Sequence, residues 1–158
     1  MANAPDLRQR NLGLVLTEIC RRTEVGQPPP SRAQVTRRTA LHKTTVSQLT
    51  DELIAAGLVT ELSSAANGLV GRPSQPLVPA PGALAALGLE VNVDYLGLAA
   101  VDLTGQRLAE RFDSLDLRRS DPSAVLDGLA DLARDMAHRL ERYGTRIAGA
   151  GLALPGLT

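Results

Sequence analysis

The sequence predicts an α+β chain: a small helical module with a two-stranded appendage, then an α/β lobe built on a mixed sheet. Three observations carry this expectation. Apolar residues recur at helical spacing in two stretches before residue 57 with a helix-capping pattern between them, β-prone runs dominate after residue 83, and Pro79-Ala80-Pro81-Gly82 separates the two regimes. Proline and glycine punctuate chains at such junctions. The expected division is one domain over residues 1–79 and a second over 83–158.

In chain order, Leu12, Val15, Leu16 and Ile19 mark an amphipathic helix from about Asp6 to Arg22. Gly26-Gln27-Pro28-Pro29-Pro30 breaks it. Ser31 and Gln34 then form the S-x-x-Q of a capping box, which starts a short helix running to about Thr39. Ala40 and Leu41 make a turn, and a further helix runs from about His42 to Ala56, with Gly57 where a left-handed cap favours glycine. Val46, Leu49, Leu53 and Ile54 line one side of it. Thr44, Gln48 and Asp51 point the other way, Thr45 and Ser47 flank them, and Lys43 lies in the first turn. A helix that reads DNA needs short hydroxyl and amide side chains near its N-terminus, within reach of base edges, and cations beside the phosphates. A helical hairpin with a solvated polar face fits this stretch equally well.

The next segment favours DNA. Leu58 to Leu62 is β-prone, Ser63 to Gly71 reads as a loop, and Leu77 and Val78 can begin a returning strand. Two strands joined by a loop after such a helix make a wing. Gly71-Arg72-Pro73 sits in that loop, with the arginine presented between a glycine and a proline; a narrow minor groove attracts such a side chain. The module therefore reads as a winged helix-turn-helix. A plain Gly/Pro turn with a solvated arginine is the alternative.

Beyond the junction, Leu84 to Val91, Tyr95 to Val101 and Gln106 to Leu115 read as strands, with Asp102-Leu103-Thr104-Gly105 as a turn. Asp121 as N-cap and Pro122 at the first position start a long helix, whose apolar side is Val125, Leu129, Leu132, Met136 and Leu140. His138 falls on its solvated side, Gly144 ends it, and Ile147 to Leu154 is a last strand before Pro155-Gly156. The order β-β-β-α-β implies a mixed sheet.

The 158 residues carry no formal net charge, but residues 1–76 hold nine cations against six acids and residues 77–158 eight against eleven. The basic half suits a polyanion. Aromatics amount to 2% with no Trp, which argues against single-strand binding by base stacking. The single cysteine, Cys20, allows neither an internal disulfide nor a cysteine-based zinc site and reads as a core residue. Neither a convincing signal peptide nor an apolar run of membrane-spanning length is present, so the expected location is cytoplasmic, with no membrane partner.

Taken together these stretches resemble the ROK family, which groups bacterial sugar-responsive repressors with sugar kinases. Thr39-Ala40-Leu41-His42-Lys43-Thr44-Thr45-Val46-Ser47 and Asp51-Glu52-Leu53-Ile54-Ala55-Ala56-Gly57-Leu58-Val59 resemble the turn and reading helix of the repressor branch. Gly71-Arg72-Pro73 resembles its wing signature. Leu87-Gly88-Leu89-Glu90-Val91, Val101-Asp102-Leu103-Thr104-Gly105 and Gly149 to Gly156 are similar to the start of its kinase-like fold. The resemblance implies a partial actin-like (ribonuclease H-like) lobe, cut off at Thr158 before the family's sugar-contacting residues, catalytic aspartate and zinc motif. Glu90, Asn92 and Asp94 stand where the kinases carry an Asp-x-Gly-x-Thr phosphate loop. A glycine is lost there and a carboxylate added, so phosphate binding is disfavoured. His42 replaces the usual serine at the helix start and Ala40 the usual turn glycine, which raises the question of whether the turn needs a positive φ.

The leading expectation is a sequence-specific DNA-binding regulator, a repressor of sugar-metabolism genes, with no enzymatic activity and no cofactor. Its candidate DNA-binding residues are Ser31, Arg32, Arg37, Arg38, His42, Lys43, Thr44, Thr45, Ser47, Gln48 and Arg72. Of these, Lys43 to Gln48 would read the major groove, Arg72 the minor groove, and Arg32, Arg37 and Arg38 would touch phosphates. Double-stranded DNA and a second copy of the chain are the expected partners, and a sugar effector is left open. The competing expectations are a ROK-family sugar kinase or sugar sensor, and an inactive fragment of one.

Overall fold

The computed structural model describes residues 4–21, 28–63 and 75–154. The chain divides into two compact units, Met1–Ala80 and Pro81–Thr158. The described part is an α+β structure, as the sequence predicts.

The first unit contains α1 (Ala4–Cys20), α2 (Arg32–Thr39), α3 (Lys43–Ala55), β1 (Val59–Glu61) and β2 (Leu77–Pro79). The capping box at the start of α2 is complete. The Gln34 N–H donates to Ser31 Oγ at 3.3 Å, and the Ser31 N–H donates to Gln34 Oε1 at 2.7 Å. This satisfies backbone donors that a helix start otherwise leaves open. The helix ends at Ala40, whose φ of 56° is left-handed. The turn thus does require a positive φ, and it is met by an alanine whose Cβ crowds the backbone there. Ala40→Gly is expected to raise stability by roughly 0.5–1 kcal/mol, the strain relieved outweighing the added freedom of the unfolded chain. A lower thermal midpoint for that variant would contradict this account of the turn.

After the turn the chain runs straight into α3. Its Val46, Leu49 and Leu53 are buried with Val15 and Ile19 of α1, Val35 of α2, Val59 of β1 and Leu77 of β2. Leu12, Leu16, Leu41, Ile54 and Leu58 pack around them. The helix closes in a Schellman arrangement. The Leu58 N–H donates to the Leu53 carbonyl and the Gly57 N–H to the Ile54 carbonyl, both at 2.9 Å, with Gly57 at φ 68°. This closure turns the chain directly into β1. β1 and β2 pair antiparallel, Thr60 opposite Val78, and Ser31 bridges to Pro76. Residues 64–74, and with them the expected wing signature Gly71-Arg72-Pro73, lie outside the described residues.

The second unit contains β3 (Leu84–Val91), β4 (Tyr95–Asp102), β5 (Arg107–Ser114), α4 (Pro122–Glu141) and β6 (Arg146–Ala153). The sheet order is β5-β4-β3-β6. β4 runs antiparallel to both β3 and β5, and β6 returns parallel to β3. The sheet is therefore mixed, and α4 supplies the crossover that a parallel neighbour requires. The Asp121 side chain accepts from the Ala124 N–H at 3.3 Å, and Pro122 occupies the first turn. Met136 and Leu140 of α4 pack with Leu87, Leu98 and Ala100 of the sheet. Asp102, 6% exposed at the end of β4, gathers the following turn. It accepts from the Thr104 N–H, the Thr104 hydroxyl, the Gln106 N–H and the Gly82 N–H at 2.6–3.0 Å.

Candidate nucleic-acid interface

The burial of one side of α3 dictates what the other side presents. Lys43, Thr44, Gln48 and Asp51 are exposed, and Thr45 and Ser47 are half-buried at the margins. The polar positions expected to face a partner therefore share one outward surface. His42 is the N-cap residue with extended backbone, yet its side chain makes no capping bond. Its Nδ1 instead shares a 2.8 Å hydrogen bond with Thr44 Oγ1, which fixes the imidazole over the first turn. The first N–H groups of a helix lack intrahelical partners and carry the positive end of its dipole. With no side-chain cap, this end of α3 keeps its affinity for an anion, and Lys43 adds a full charge beside it.

The arginines of α2 divide. Arg37 and Arg38 lie exposed in the last turn of the helix. Arg38 Nη1 approaches Glu18 of α1 at 3.8 Å, and Glu18 is itself buried and bonded to Arg21 at 3.0 Å. Arg32 is different. Its Nε donates to Glu61 Oε1 at 2.7 Å, and its Nη1 lies 2.7 Å from Asp51 Oδ1, 3.1 Å from Ser47 Oγ and 3.2 Å from the Ser47 carbonyl. Partial burial works against its charge, but hydrogen bonds and proximity to Glu61 and Asp51 outweigh that and leave the guanidinium held more firmly protonated than usual. Ser31 spends its hydroxyl on the α2 cap. Arg32 and Ser31, expected to face DNA, are thus engaged within the unit. Arg72 lies outside the described residues.

Sequence reasoning missed the carboxylates that meet Arg32. From the sequence Asp51 reads as an outer-face residue with no partner, and Glu61 belongs to a strand ten residues on. One signal was available. A cation in the first residue of a helix sits at the positive end of the dipole, so it calls for an anion from elsewhere. Among the described residues no cluster of three or more His, Cys, Asp or Glu could hold a metal, and no helix is long and apolar enough to cross a membrane.

A three-helix core with paired strands, followed by an α/β lobe on a mixed sheet, matches the fold of a solved ROK-family regulator. A crystal structure of such a regulator, described as a homologue of the Escherichia coli Mlc protein, superposes with a TM-score of 0.67 at 24% identity, over 96% of this chain and 37% of that one. In sequence the chain matches ROK-family transcriptional regulators. The xylose repressor of Bacillus spizizenii is 28% identical over 157 residues, 99% of this chain and 39% of the relative. The xylose repressor of Caldicellulosiruptor bescii is 28% identical over 157 residues, 99% of this chain and 38% of the relative. The DNA-binding transcriptional repressor Mlc of Escherichia coli is 27% identical over 151 residues, 96% and 36%. The chain thus spans less than two-fifths of the length of these relatives. No family model matches it.

Proposed function

We propose that the chain is a DNA-binding transcriptional regulator, a repressor, whose α3 lies in the major groove of duplex DNA. The observation that carries this reading is the division of α3 into a side buried in the unit's core and an outward polar side running from His42 to Gln48. Lys43, Thr44, Thr45, Ser47 and Gln48 are the base-reading and phosphate-facing candidates, with the uncapped helix start turned to the backbone of the DNA. Arg37 and Arg38 are assigned to phosphates, and Arg72 to the minor groove. The DNA-binding domain is assigned to residues 1–79 and the lobe to 83–158; the contact division at Ala80/Pro81 supports this. Relatives named as repressors, two of them xylose repressors, support repression and point to carbohydrate metabolism as its setting. Binding as a homodimer to half-sites roughly 34 Å apart is the arrangement this module type favours.

A sugar-kinase reading fares worse. At the end of β3, Glu90 accepts a 2.6 Å bond from the Tyr95 hydroxyl of β4; in the turn between them, Asn92 Oδ1 accepts from the Val93 N–H at 2.7 Å and Asp94 pairs with Arg118 at 2.6 Å. A nucleotide phosphate brought there meets two carboxylates and a turn occupied by its own contacts.

The test is a titration against a duplex selected from a random pool. Gln48→Ala and Arg72→Ala are each expected to weaken binding about tenfold, the loss of one base contact being worth ~1–3 kcal/mol. Unchanged affinity in both variants means that the proposed surface is wrong.

A further inference from the structure

We propose that Arg32 is a positioning residue of the DNA-reading surface: its guanidinium ties α3 to β1 and sets the angle between the reading helix and the wing strands. The inference rests on the DNA-binding reading above and departs from the phosphate contact that the sequence suggests for this arginine.

Three elements converge on one side chain. Arg32 opens α2, Ser47 and Asp51 lie one turn apart on α3, and Glu61 ends β1. Nε and Nη1 of the guanidinium are committed to these partners, at 2.7 Å to each carboxylate and 3.1–3.2 Å to Ser47. The side chain is 30% exposed and that of Glu61 25%, so both are shielded more than a free surface pair. A planar fork holds two acceptors at a fixed angle, which a single ammonium cannot do. The α2–α3 turn constrains one end of α3, and the Arg32 bonds constrain its middle against the strand that leads into the wing. Ser47 is itself a candidate reader, so the same contact orients a side chain of the reading surface.

The arrangement also explains two acids next to a face meant for a polyanion. Asp51 is exposed on α3 and Glu61 is half-buried beside it. Unpaired, each would repel phosphate; bound to one guanidinium they are partly neutralised and pulled towards α2.

The experiment uses the full chain, a duplex selected from a random pool and a scrambled duplex, each titrated at several salt concentrations. A phosphate contact and a positioning residue separate cleanly. Losing a phosphate contact lowers the slope of log affinity against log salt by about 0.9 and weakens all duplexes alike. Arg37→Ala is expected to behave in that way. Arg32→Ala is expected to leave the slope unchanged and to cut the ratio of selected to scrambled affinity about tenfold. Arg32→Lys keeps the charge and is expected to lose the same ratio. Glu61→Gln is expected to lose it too, although removing an acid would by charge alone strengthen binding to any duplex. If Arg32→Ala does not fold, Arg32→Lys and Glu61→Gln carry the test. Wild-type discrimination in Arg32→Lys, or a slope reduced by about 0.9 with an intact ratio in Arg32→Ala, overturns the proposal. A wild-type chain that binds no duplex overturns the DNA reading, and this role with it. A thermal double-mutant cycle on Arg32→Lys and Glu61→Gln then reports on the contact itself, since additive shifts exclude it and coupled shifts establish it.

Discussion

Leu49→Ala is expected to destabilise the first unit by about 3 kcal/mol, a large share of what a small domain has to lose. Leu49 is 2% exposed and packs among Val15, Ile19, Val35, Val46, Leu53, Val59 and Leu77, which come from α1, α2, α3, β1 and β2. Truncating it removes apolar contacts and leaves a cavity that the surrounding helices and strands can only partly close. The neighbouring residue gives the contrast. Gln48 lies on the exposed side, and Gln48→Ala is expected to shift stability by no more than about 0.5 kcal/mol. Adjacent positions thus separate folding from reading: one variant destabilises the unit, the other leaves its stability intact and is expected to weaken DNA binding. Urea unfolding with residue-resolved hydrogen exchange measures both. A Leu49→Ala midpoint equal to wild type would mean that α3 does not bury this side.

The second large effect belongs to Asp102. Its carboxylate is the common acceptor for donors of Gly82, Thr104 and Gln106, which join the start of β3 to the β4–β5 turn. Asp102→Ala strands these donors, and its expected cost to the second unit is about 2 kcal/mol: an unmet buried donor costs ~1–3 kcal/mol, and water relieves part of that at half-buried Gly82 and Thr104 and at exposed Gln106. Burial alone pushes the Asp102 carboxyl up. Hydrogen bonds from the Thr104 hydroxyl and from the N–H groups of Gly82, Gln106 and Thr104 outweigh it, and hold the group below its ordinary value of 3.8. A carboxyl depressed in the folded state stabilises fully above its unfolded pKa, and that contribution is lost as pH falls through the folded pKa. The expected stability gap between wild type and Asp102→Asn is therefore constant from neutral pH down to about 5 and narrows below about 4. A gap that widens on acidification would contradict the assignment.

The parts of the fold that the sequence made legible are those set by local chemistry. Ser31 with Gln34, and Asp121 ahead of Pro122, announce helix starts because the capping bonds, Ser31 with Gln34 and Asp121 with the Ala124 N–H, span three residues. Gly57 announces the end of α3 because a left-handed residue is needed there, and Val46, Leu49 and Leu53 announce its buried side through helical spacing. The same spacing delivered the outward positions from Lys43 to Gln48. Contacts between distant elements were not legible. Arg32 reads as one more surface cation until Asp51 and Glu61 are brought to it by the return of the chain through β1. The Asp102 turn was legible, but its bond to Gly82, twenty residues earlier, was not. The mixed sheet followed from the β-β-β-α-β order, whereas the central place of β3, between β4 and β6, came only with the strand pairing.

The most direct measurement titrates the isotope-labelled chain with a duplex selected from a random pool and follows its backbone amides. The account predicts that amides of residues 42–48 shift first and furthest, and that those of β3, β4 and β6 stay in place. Amides 42–48 that remain unmoved while the duplex binds elsewhere, or a chain that retains no duplex from the pool, would contradict it.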